Sequence, residues 1–417
     1  MRKNLRAVSL ITGVLFLSNL SFSQQSDRFA YAITDMQEQP AGWNFLRKLD
    51  LRSGEFSPVL LSGGDMNIMA YDGSSKKQLA PINDSRYGQL ANAAFGTGVA
   101  ALAYDRRNNR LYYTPMFVDQ LRYIDLKTMK VFYYSDLAFT GKPEKSSDQG
   151  NIVTRMVIAS DGNGYAMTND ATQLIRFSTG KKLAIIDLGS IVDDQANNNI
   201  SIHNSCSSFG GDMIADDNGN LYVFSARNHV FKINLESKVA THMGVISGLP
   251  NGFTVNGAAV NDDNRVLVAS AMQAGSYFTV DMKSLAAIPY TVTGSLWQSS
   301  DLANSNLLVS GNRPKATETE VMKNKPVNLD ETKINIYPNP VTGNQFIVQF
   351  GQLEPGNYTI QVTDALGRQV IQQAVNLSGD NQSQMIKLNS SSAKGVYLVK
   401  VLSAGSKTVF STKLIVQ

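Results

Sequence analysis

This 417-residue chain is poor in the residues that most often carry recognisable chemistry: it has one cysteine, three histidines and two tryptophans. A single cysteine, Cys206, excludes an internal disulfide, so the fold must rest on its hydrophobic core. With 43% hydrophobic and 17% charged residues the chain can build one. Cys206 sits in a Ser/Asn-rich stretch and reads as a small, partly buried side chain rather than a nucleophile. His203, His229 and His242 are not at H-x-x-x-H or H-E-x-x-H spacing, so no zinc motif is readable and no metal is expected. No G-x-S-x-G elbow occurs. Gly96-Thr97-Gly98 precedes a predicted strand and reads as loop, not as a phosphate cradle, and no cofactor is expected. The neighbours Asp193 and Asp194 fall in a polar loop and read as solvated.

Long apolar runs are also scarce. One runs from Ala7 to Leu20, behind the basic Arg2, Lys3 and Arg6, and is too short and interrupted to span a bilayer. Ser21 and Ser23 place small residues at −3 and −1 of a cleavage site, so residues 1–23 read as a secretory signal peptide and the mature chain is expected to begin at Gln24. No cysteine near that site supports a lipoprotein, and no transmembrane segment is expected elsewhere. The formal charge of +4 is carried by the ends. Residues 1–23 hold three basic and no acidic residues, residues 334–417 six basic against three acidic, and the middle is therefore about −2. Nucleic acid is not an expected partner.

What is plentiful is repetition. Asn/Asp/Gly clusters followed by β-rich runs begin at Asp105, Asp161, Asp216 and Asp262 and lead into Tyr112, Tyr165, Tyr222 and Leu267. The clusters tolerate positive φ and supply turns, and the Tyr/Val/Leu runs supply outgoing strands. A second motif follows at Leu121–Leu126, Leu174–Phe177, Val230–Leu235 and Tyr277–Met282, with an earlier copy at Leu46–Leu51. Strand, turn, strand, loop, strand, turn, strand is the plan of one propeller blade. The spacings between those four strand positions are 53, 57 and 45 residues, near the 40 to 50 per blade of propeller repeats. The fold class is therefore all-β: a β-propeller over 24–311, with six blades favoured by length and five or seven open, followed by a small β-sandwich. Tyr31 to Tyr112 spans 81 residues, room for a degenerate blade or a long loop. Strands from both chain ends are expected to close the ring and remove its exposed edges. The hairpins resemble those of NHL, YVTN and related secreted propellers, a likeness that speaks to architecture and not to function. Residues 312–333 are polar and read as a linker.

The tail, 334–417, carries Tyr337-Pro338-Asn339-Pro340, then Asp364 and Gly367, then Gly395 and Tyr397, and ends on Lys413 to Gln417. This run resembles the type A sorting domain of the type IX secretion system of Bacteroidetes. The resemblance implies that those eight residues form the sorting signal, that the secretion machinery is a partner, and that the protein travels through the periplasm to be secreted or held on the cell surface.

Two long insertions, Ser62–Gly98 and Gly189–Gly210, and the tips between second and third strands are the expected ligand-binding loops, because a blade's strands are committed to packing. Trp43, Arg227 and His229 are the leading set, joined by Asn169, Asp170 and His203. The Asp/Asn clusters fit turns better than calcium loops, since the oxygen spread and closing Glu of an EF-hand are missing. The functional expectation is a binding or interaction module for an extracellular glycan or protein. The alternatives are a propeller hydrolase or lyase acting on a glycan or lactone, and a structural surface or biofilm component.

Overall fold

A computed structural model of the chain describes residues 26–35, 42–273, 277–309 except 292 and 296, and 334–416 with breaks at 338, 340, 342–344, 352, 365–366, 379–381, 389–393 and 406. The expected signal peptide and linker lie outside these residues.

Five sheets form the propeller among the described residues. From the innermost strand outward, blade one is Ser299–Ala303, Phe29–Thr34, Phe45–Asp50 and Leu61–Ser62. Blade two is Val99–Asp105, Arg110–Pro115, Arg122–Asp125 and Lys130–Tyr133. Blade three is Val153–Ile158, Gly164–Thr168, Leu174–Phe177 and Ile185–Asp187. Blade four is Asp212–Ala215, Asn220–Phe224, His229–Asn234 and Val239–Val245. Blade five is Gly257–Val260, Val266–Ala269, Tyr277–Asp281 and Ala286–Tyr290. Each innermost strand lies beside the innermost strands of both neighbouring blades, so the five surround one axis. Blade one joins the chain ends, with Tyr31 opposite Ala303 and Ile33 opposite Asp301, as expected for a ring without open edges.

The blade number corrects the favoured six. Ser62–Gly98 contains no further blade. Its Ala70–Asp72 instead adds a parallel strand to the outer edge of blade two, and Val192–Asp193 in the second insertion does the same for blade four. Dividing length by an average repeat counted these loops as blade.

Local chemistry explains the hairpins. The Asp105, Asp161 and Asp216 carboxylates accept backbone N–H bonds from residues two to four positions on, and the Asn261 amide oxygen does the same beside Asp262. Asp50, Asp125, Asn234 and Asp281 repeat this device in the turn between third and fourth strands. Inner strands are buried on both faces because blades pack against them from each side, as in Gly164–Thr168 and Asn220–Phe224. The fourth strand, Val239–Val245, alternates between half-buried and exposed along most of its length, as one solvated face requires.

The tail is a separate sandwich. Ile334–Tyr337, Gln345–Phe350 and Gln382–Lys387 form one sheet, and Gln369–Leu377, Gly356–Thr363, Gly395–Ser403 and Thr408–Val416 the other. Phe346, Phe350, Ile360 and Val399 fill the space between them. Among the described residues, backbone hydrogen bonds join the sandwich to the propeller at Ser383. Ser383 N–H donates to the Leu188 carbonyl (3.4 Å), and Ser190 N–H donates to the Ser383 carbonyl (3.2 Å). Gly189 lies between, at φ 84°, where a Cβ would stand 2.2 Å from the Ser383 oxygen. Only glycine permits that approach.

Candidate functional site

All innermost strands run in the same direction, so both insertions and all second-to-third-strand tips gather at the end where those strands start. This is the face on which loops were expected to meet. Beneath it the axis is polar. Arg155 (blade three), Asp212 (blade four) and Asp301 (blade one) project from innermost strands, and each is fully buried.

Their partners differ. The Arg155 guanidinium donates to the carbonyls of Thr168, Asn169, Ser208 and Gly210, tying the second insertion down over the axis. The Asp212 carboxylate accepts N–H bonds from Met213 (2.6 Å), Ala258 (2.6 Å) and Leu302 (3.4 Å). The Leu102 backbone amide lies close enough to stabilise the Asp301 carboxyl, although neither carboxyl oxygen makes a full hydrogen bond, and Arg155 Nε and Ser208 Oγ are unpartnered as well. Burial pushes both carboxyls well above the usual carboxylate range. The Asp212 charge pushes Asp301 further, whereas its three amide bonds and Arg155 partly restore Asp212. Burial pulls the Arg155 guanidinium down to about 10, against the opposing attraction of Asp170 and Asp212. Burial thus favours the neutral form of both acids, more strongly for Asp301, which has the Asp212 charge beside it. Further along the axis a narrow cavity is lined by Met156, Met213 and Leu302 together with the polar Asn304 and Asn306.

The first insertion is anchored in the same manner. Arg122, also buried, donates to the carbonyls of Ala91 (2.6 Å), Ala93 (2.7 Å) and Ala94 (2.9 Å) and stacks 3.7 Å from the Tyr133 ring. Two buried arginines therefore hold the two insertions through backbone carbonyls. Neither was singled out from the sequence, where an arginine in a strand carries no local mark.

The expected ligand residues divide into three groups. Asn169, Asp170 and His203 come together. Asn169 accepts from Thr154 Oγ1 (2.7 Å) and Gly210 N–H (2.9 Å), and the two His203 ring nitrogens face the carbonyls of Asp170 (2.6 Å) and Ile191 (3.1 Å). Asp170 accepts from Thr168 and Thr172 hydroxyls. These bonds are internal, so the three residues act as struts of the loop face. Trp43 is half-buried at φ 48° and packs into the cluster of Tyr31, Phe95 and Tyr113 between blades one and two. Arg227 and His229 belong to blade four, which does not adjoin blade one, so the leading trio does not share a packing cluster. Arg227 is exposed. His229 instead meets His242 across the sheet at 3.0 Å.

In the tail, Asn339 clamps the last strand, donating to the Lys413 carbonyl (2.7 Å) and accepting from Ile415 N–H (2.9 Å). Asp364 and Gly367 form a hairpin turn in which Asp364 accepts from Arg368 N–H and Nε. Gly395 opens the strand on which Tyr397 is buried. Pro338, Pro340 and the Tyr337 side chain lie outside the described residues. No group of three or more His, Cys, Asp or Glu poised for a metal occurs among the described residues. Nor is any helix there long and apolar enough to cross a membrane.

Residues 335–417 match the family model described as "Secretion system C-terminal sorting domain". The tail is thus a type IX sorting domain, and the protein is exported to the cell surface or secreted. No curated protein matches the sequence. Among solved structures the chain is similar to PorZ, a surface component of the type IX system of human oral-microbiomic Porphyromonas gingivalis. That match is 15% identical with a TM-score of 0.34, over 94% of this chain and 58% of that one. It is also similar to a chain of a nidogen/laminin complex, 10% identical with a TM-score of 0.37, over 66% of this chain and 97% of that one. A streptogramin B lyase is 12% identical with a TM-score of 0.34, over 65% of this chain and 86% of that one. The chain spans less than two thirds of the length of the PorZ structure it matches.

Proposed function

We propose that this protein is a surface-displayed binding module, that its propeller presents the insertion-bearing face outward, and that its ligand is a protein. On this reading residues 1–23 are removed on export, 24–311 bind and 312–333 tether the sorting domain. The observation that carries it is the contrast between the sealed axis and the apolar insertion above it. Arg155, Asp212 and Asp301 are wholly buried, whereas Met66, Met69, Ile82 and Leu90 of the first insertion are exposed. Large apolar groups gathered in one exposed loop mark contact surfaces for other proteins. A glycan site would favour exposed aromatic platforms, and among the described residues the exposed large hydrophobics of the propeller are aliphatic or methionine. The burial of the axial acids weighs against hydrolase or lyase chemistry on a glycan or lactone, since a catalytic acid must reach its substrate.

A photo-crosslinking residue placed at Met69 or Ile82, on intact cells, tests this. Discrete adducts from those positions and none from Asp263 at the opposite end are the expected result. Adducts absent from both, or equal from all three, contradict it.

A further inference from the structure

The three histidines are far from zinc spacing in sequence, yet two of them meet. His229 and His242 lie on adjacent strands of blade four. Phe231 is opposite His242, so His229, Phe231 and His242 share one face of the sheet, with ring centroids 5.1 to 6.4 Å apart. The pairing slips by one residue between Val230 and Phe231, a bulge that Gly244 permits at φ 138°. That slip draws His242 toward His229 until Nε2 of one stands 3.0 Å from Nδ1 of the other.

We propose that His229 and His242 form a transition-metal site that takes Cu2+ first and Zn2+ more weakly, with His229 Nδ1 and His242 Nε2 as ligands and water completing the shell. Two nitrogens each about 2.0–2.1 Å from one ion stand about 2.9–3.4 Å apart, between square-planar and tetrahedral angles. The observed 3.0 Å falls in that range. In the neutral pair one facing nitrogen donates its proton to the other, and an ion that takes both nitrogens leaves that proton on the far nitrogen of the donor ring, so two neutral imidazoles ligate without net proton release.

The surroundings keep the rings in place. Fully buried Phe231 forms the floor, and Asn197 Oδ1 accepts the His242 backbone N–H at 2.7 Å, tying the strand to the second insertion. Both rings are half-buried rather than sealed, so an ion has access. Imidazole pairs suit Cu2+ and Zn2+, and the Irving–Williams order puts Cu2+ first.

The test uses tag-free mature protein carrying Cys206→Ser, because the exposed Cys206 thiol is itself a metal ligand. Titration with Cu2+ at pH 7.5 is expected to show one ion per chain, with an electron paramagnetic resonance spectrum split by two nitrogens. His229→Gln and His242→Gln should each weaken binding at least tenfold. Absence of binding, or binding that both variants retain, overturns the proposal. So does a spectrum of the histidine-intact protein without two-nitrogen splitting, which is read even if a glutamine variant fails to fold.

Discussion

At the scale of single residues, Asp301 is the most informative group in the propeller. It sits on the strand that closes the ring, fully buried, with the Leu102 backbone amide beside it but no full hydrogen bond to either oxygen. Its carboxyl pKa is raised, so the folded state holds the proton more tightly than the unfolded chain does. The unfolded chain releases that proton near the ordinary value of 3.8. Stability from this residue is therefore intact below that pH and falls as pH rises from there through the raised folded value. Asp301→Asn keeps the shape and removes the titration. It should raise the unfolding free energy at pH 7 by about 1–3 kcal/mol and flatten its decline with pH. Urea melts of both proteins from pH 4 to 8 check this. Equal stability at every pH would mean the carboxyl is satisfied. Nothing in the sequence marked Asp301 or Asp212. They are distant along the chain, and only ring closure sets them side by side.

At the scale of elements, the turns were legible and the insertions were not. An Asp that caps its own hairpin is a local event, written in consecutive residues, and each of the four repeated clusters does form the hairpin between first and second strands. The turn aspartates of the two hairpin types are not equal. Asp216 is buried and holds Asn218 N–H, Asn220 N–H, Asn220 Nδ2 and the Tyr222 hydroxyl, whereas Asp281 serves an exposed turn. Asp216→Ala should cost about 2 kcal/mol or more, because it strands buried donors, and Asp281→Ala markedly less. Thermal melts of the two variants distinguish them, and similar losses would contradict the difference in burial. The insertions resisted reading because their structure is made by distant partners. Ala70–Asp72 becomes an edge strand of blade two through its parallel pairing with Val131–Tyr133, and Ala91–Ala94 is shaped by Arg122. The histidine pair was hidden for the same reason: a one-residue slip in the register of blade four creates it.

At the scale of the whole molecule, two bodies share one chain. The propeller closes on itself through its first and last blade strands, and the sorting sandwich has its own core. Their described contact is the backbone bridge at Leu188–Ser190 and Ser383, too small to complete either core. The address and the cargo should therefore separate. The most direct measurement is the location of a chain truncated after residue 333, compared with the full-length protein in the same cells by surface protease digestion and periplasmic extraction. The full-length protein should be digested at the surface, and the truncated one should be recovered from the periplasm, folded and protected from external protease. Truncated protein on the surface would contradict the assignment of residues 334–417 as the address, and unfolded truncated protein would contradict a propeller that closes without them.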